Sequence, residues 1–277
     1  MTAARKSPGL LYAALRIFDV SLSEMLWSRR TIFMGLVVGL PVVLACFVRV
    51  MVSLGAPTMR MNGVAVDGPT IFGLMIWAFY LRFSIPVLGV FYGTSLIADE
   101  VEDKTITYLF TRPIPRGAVL LGKYLAYLGC TVFVVLPSVV LAWFLVVPLG
   151  GRLGPNFLDM AKDLVLLAIG LVLYGALFAF VGAAIKRPLI VGLVFVFGWE
   201  PAMLALPGYL KRFTIAYYLQ GLVPQAMPND SAVSLVQSIF REIPTLGESV
   251  VWMVAIEVVF LWLAARIVAN REYVLEQ

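Results

Sequence analysis

A chain of 277 residues that is 61% hydrophobic and only 13% charged cannot wet the surface of a soluble globule, which at this size needs roughly a quarter of its residues charged. Lipid must therefore be the solvent for much of it. The net charge of +5 forms no stripe suited to nucleic acid, because the basic residues sit at the ends of apolar runs, where they act as topology determinants.

In chain order, residues 1–30 read as a cytoplasmic amphipathic helix lying along the membrane interface. Leu11, Leu15, Phe18, Leu22 and Met25 recur at helical spacing, while Arg16, Asp19 and Glu24 fall off that stripe. The scattered charges leave no uninterrupted core of the signal-peptide type, so the first long apolar run is expected to stay as a span. Residues 31–277 then read as an all-α integral membrane domain. A helix needs about 20 apolar residues to cross the hydrocarbon, and six stretches qualify: 31–52, 70–98, 123–148, 163–185, 188–206 and 249–269. The first outer loop, 53–69, is short and rich in Gly and Pro. The last, 207–248, holds apolar stretches too short to span, divided by Pro224 and Pro228, which fit short re-entrant or interfacial helices near the outer surface. Thirteen Lys and Arg flank the spans on the side of the N-terminus and seven on the other. The richer side is cytoplasmic by the positive-inside rule, and both termini lie there.

Some polar residues fall within the spans. Arg82 lies about 18 Å of helical rise into the second, near the bilayer midplane. A lone charge there costs at least about 2.5 kcal/mol, so it must face protein or water. Glu200 in the fifth span and Glu257 in the sixth are its candidate partners. Two readings fit these three residues: a polar patch lining a translocation path, or a buried charge pair that fixes helix packing. Pro41, Pro86, Pro137 and Pro201 permit kinks inside spans. The pairs Gly35/Gly39 and Gly89/Gly93 let helices approach closely.

The segment 99–123 carries the functional inference. It opens with Asp99, Glu100, Glu102 and Asp103, then turns apolar at Ile106, Tyr108, Leu109 and Phe110. Arg112-Pro113-Ile114-Pro115-Arg116 breaks the helix, and Gly122-Lys123 leads into the third span. A short helix with an acidic and a basic end, held between two spans, suits docking to a cytoplasmic partner; an ordinary solvated loop is the other reading. This pattern of acidic residues, Thr105, an apolar turn, Arg-Pro-Ile-Pro-Arg and Gly-Lys resembles the ABC-2 permease family. Lys104 departs from it, standing where the family often has Gly. The resemblance extends to six spans, cytoplasmic termini, an N-terminal interfacial helix and a re-entrant segment before the last span.

That resemblance implies the membrane-spanning subunit of an ATP-binding-cassette exporter in a bacterial-type cytoplasmic membrane. It implies two ATP-binding subunits carrying ATP and Mg, a second permease chain (identical or related) and no cofactor bound by this chain. It places the docking contact at Glu100, Thr105, Arg112, Pro113, Pro115, Arg116, Gly122 and Lys123. The run Gly117–Lys123 imitates the opening of a phosphate-binding loop, but Tyr124 stands where the magnesium-binding hydroxyl belongs and no strand precedes it. An intramembrane enzyme is disfavoured by the absence of histidine, the commonest general base and metal ligand. The only thiols, Cys46 and Cys130, lie inside apolar runs. A secondary transporter or channel remains the alternative, with the missing inverted repeat counting against it.

Overall fold

Six helices in the computed structural model are long and apolar enough to cross a membrane, which makes this an all-α integral membrane protein. The structure describes residues 9–55, 60–61, 64–65, 67–102, 116–206, 209–220, 222 and 244–270. Hydrocarbon offers no water to backbone polar groups, so a spanning segment must satisfy them within itself, as a helix does. Helix α1 (Leu10–Leu26) comes first, followed by the spans α2 (Arg29–Ser53) and α3 (Gly68–Glu100). Between these two lies a minimal hairpin, Arg60–Met61 antiparallel to Val64–Ala65. The spans α4 (Arg116–Val146), α5 (Leu153–Ala184) and α6 (Pro188–Ala205) follow. A 3-10 turn (Tyr209–Phe213) and the short α7 (Ile215–Gln220) precede the last span, α8 (Leu246–Asn270).

Local chemistry sets the helix ends. The Thr70 N–H donates to the Asp67 carboxylate at 3.3 Å and Pro69 occupies the first turn of α3, both favoured choices at a helix N-terminus. The Glu248 N–H likewise donates to the Thr245 hydroxyl at 3.3 Å to cap α8. Gly150, with φ of 88°, closes the turn between α4 and α5 in a conformation costly for residues with a side chain. Helices α4 and α5 begin at Arg116 and Leu153, earlier than the apolar windows at 123 and 163. Apolarity marks membrane thickness, not helix length. At 32 residues, α5 is about 48 Å long against a hydrocarbon core of roughly 30 Å.

Widened π-helical stretches interrupt α3 at Ile76–Ser84 and Gly89–Gly93, and α6 at Phe195–Trp199. The first and third end just before Pro86 and Pro201. A proline offers no N–H to the carbonyl four residues back and its ring presses on it; widening the helix there relieves the clash. Pro41 and Pro137, by contrast, sit in α-helix.

Helix α1 forms over Leu10–Leu26 and turns its small residues toward the bundle. Leu11 and Leu15 are exposed, whereas Ala13, Ala14 and Ser21 are buried and α1 packs along the first half of α4. A Cβ on Gly122 would stand 2.6 Å from the Ala14 carbonyl and 2.8 Å from the Ile17 Cβ. The backbones are that close, so small residues make this contact while Leu11 and Leu15 turn outward; further along, Phe18 and Leu22 lie against Gly129.

The two glycine pairs diverge in the same way. A Cβ on Gly89 would meet the Tyr174 Cβ at 2.8 Å and one on Gly93 the Phe178 Cβ at 2.9 Å, so this pair joins α3 to α5; Gly35 and Gly39 have nothing within 4 Å. Replacing Gly89 with Leu is expected to destabilise the chain by about 1–3 kcal/mol through overpacking. Gly35→Leu should leave the melting temperature of the detergent-solubilised monomer unchanged.

Candidate functional site

Two layers of polar side chains stand out against the apolar bundle: one where segment 99–123 leaves it, the other midway along the spans.

In the first layer, the Glu100 carboxylate at the end of α3 forms an ion pair with the Lys123 ammonium of α4. Their side chains are 21% and 13% exposed, so the pair is better shielded from water than a surface pair and worth correspondingly more. Arg30 of α2 donates to Asp99 at 2.9 Å. Arg116 donates to the Ala269 carbonyl at 2.8 Å, satisfying one of the acceptors that the end of α8 leaves open. Gly122 lies under α1, as described above. Of the docking residues suggested by the sequence, Glu100 and Lys123 are thus brought together, while Arg116 bonds the end of α8 and Gly122 lies under α1. Thr105, Arg112, Pro113 and Pro115 lie outside the described residues. The P-loop-like run Gly117–Lys123 is the first turns of α4, and Lys123 is committed to Glu100.

The second layer centres on Glu200, which is 5% exposed. The Tyr174 hydroxyl of α5 lies 2.8 Å from Oε1 and 2.6 Å from Oε2 of its carboxylate, and the Ala216 N–H of α7 donates to Oε1 at 3.4 Å. The Arg82 guanidinium rests over the Trp77 ring, 4.7 Å from its centroid, a cation–π contact. In an α-helix, residues five apart point about 140° away from each other. The π-helical stretch brings Trp77 and Arg82 to one side.

Glu257 belongs to a separate contact. The Tyr124 hydroxyl lies 2.8 Å from the Val172 carbonyl, to which it donates, and 3.4 Å from Glu257 Oε1.

Tyr174, Trp77 and the Ala216 N–H were not legible as site groups. A tyrosine or tryptophan in an apolar run reads as core, and no sequence signal reports a backbone donor arriving from a distant loop. Asp163 was also missed: it reads as the polar edge of a span, yet it is 0% exposed and neither carboxylate oxygen has a hydrogen-bond partner among the described residues.

The Glu100–Lys123 pair yields a direct test. Glu100→Lys and Lys123→Glu should each lower the melting temperature, and the doubly reversed chain should recover most of the loss. The expected coupling energy is about 0.5–3 kcal/mol.

A family model described as ABC-2 family transporter protein matches residues 22–272. No curated protein matches the chain.

Proposed function

The chain belongs to the ABC-2 transporter family and is the permease component of an ABC transporter; from this we propose that it forms the membrane half of an ATP-driven exporter. Two ATP-binding subunits and a second permease chain, identical or related, complete the assembly. ATP and Mg are held by the ATP-binding subunits, and this chain binds neither. In this reading the Lys- and Arg-rich end of the bundle faces the cytoplasm of a bacterial-type cell with both termini, which the charge asymmetry of the loops supports.

The observation that carries the reading is the family match over nearly the whole chain. The first polar layer supports the docking assignment. The segment 103–115 leaves α3 beside Glu100 and enters α4 at Arg116, and the Glu100–Lys123 pair joins the two helices at its base. Arg116 also fixes α8 and Gly122 seats α1. A push on this segment would therefore reach α1, α3, α4 and α8 together. In this reading the docking residues divide into two groups. Thr105, Arg112, Pro113 and Pro115 shape and charge the contact itself. Glu100, Arg116, Gly122 and Lys123 form the rigid footing that passes its movement to the spans.

The division has a measurable consequence. The complex is purified in mild detergent from its native source, and the ATP-binding subunit is identified by sequence and by ATPase activity. Arg112→Glu should lower its recovery about tenfold or more while leaving the melting temperature of the permease unchanged, as loss of an interfacial charge contact does. Full recovery of the ATPase with that variant contradicts docking through this segment.

A further inference from the structure

Helix α7 is only six residues long, far too short to span, yet Thr214 and every residue from Ile215 to Leu219 are buried, while Tyr209, Leu210 and Phe213 just before them are exposed. The chain thus dips into the bundle at this point. Leu219 sits over Gly170, its Cδ1 3.6 Å from where a Cβ would stand, with Ile85 of α3 in the same notch. The Tyr218 ring stacks on Trp252 of α8, centroids 6.3 Å apart. Helix α7 therefore fills the space among α3, α5 and α8 at the end opposite the Glu100–Lys123 pair.

Apolar packing alone holds such a short insert weakly, because side chains gain little by exchanging lipid for protein. The polar anchor is Glu200. Its carboxylate is tied to α5 through Tyr174 and to α7 through the Ala216 N–H, and hydrogen bonds to a charged acceptor are the stronger kind.

We propose that Glu200 is a positioning residue that latches α7 as a plug in the outward end of the bundle. This deepens the permease reading and rests on it. It gives the mid-membrane layer a role as the hold on an outer gate, with Tyr174 as the second half of the latch.

The test uses the full-length chain with Cys46→Ala and Cys130→Ala, reconstituted in vesicles, and Leu219→Cys as reporter. Labelling by a membrane-impermeant maleimide is slow while the latch holds. Glu200→Ala should speed it at least about tenfold, the effect of losing one charge-assisted hydrogen bond. Tyr174→Phe should speed it by a smaller factor. Glu200→Gln, whose side-chain carbonyl still accepts from Ala216, should restore part of the protection. A second reporter, Val139→Cys in the core of α4, should stay unreactive throughout. Unchanged labelling at Leu219→Cys in Glu200→Ala overturns the latch, and so does equal acceleration at Val139→Cys, which would mean general loosening. If Glu200→Ala does not fold, Tyr174→Phe decides alone: acceleration supports the latch and no change overturns it. Because no ATPase is present in this assay, its failure leaves the permease reading standing, and the failure of that reading shows only in the co-purification.

Discussion

The arrangement depends on how α5 is held in a solvent that does not drive apolar surfaces together. Lipid tails are as apolar as Leu, so helices associate through close packing and hydrogen bonds. Helix α5 uses both. Gly89 and Gly93 of α3 admit Tyr174 and Phe178, Gly182 lies against the Thr94 backbone and Gly175 is covered by the Tyr127 ring. The Tyr127 and Tyr124 hydroxyls donate to the Leu171 and Val172 carbonyls at 2.9 and 2.8 Å. With α5 fixed against α3 and α4, Tyr174 is aimed at Glu200, and the mid-membrane layer follows from the packing.

The two polar layers do different work because they sit in different solvents. Near the membrane surface, Arg30–Asp99 is open to water and contributes little, and Glu100–Lys123 is shielded enough to define the join between α3 and α4. Midway along the spans a lone charge is intolerable, and each carboxylate there that has partners is matched to hydroxyl or backbone donors. Helix α3 runs through both layers, carrying Glu100 at one and Arg82 at the other. Its π-helical stretches lie where it meets the second layer, so the residue types that distort the helix also place the charge.

The spans were legible because hydrocarbon imposes a length and a composition on any segment that crosses it, and all six were found. Their helical ends were not, since α4 and α5 continue into water, where apolarity carries no information. The partners of the charges were only half legible. Arg82 demanded a carboxylate, and Glu200 and Glu257 were the candidates, but the sequence held nothing to show that Tyr124 would take Glu257 and Tyr174 would take Glu200. Gly122 and Lys123 were marked by family resemblance as contact residues. Their places under α1 and beside Glu100 show a structural use that a linear motif cannot express. In α1 the close backbone approach rewards Ala13 and Ala14, residues that periodicity counts barely at all.

We propose that segment 103–115 is where an ATP-binding subunit meets this permease, the Glu100–Lys123 pair joining α3 and α4 on either side of it. Site-specific photo-crosslinking from position 105 in the assembled, membrane-embedded complex tests it most directly. The account predicts a crosslinked species containing this chain and the ATP-binding subunit, lost when the partner is not expressed. Crosslinks confined to lipid or to this chain itself, in a complex that still hydrolyses ATP, would contradict it.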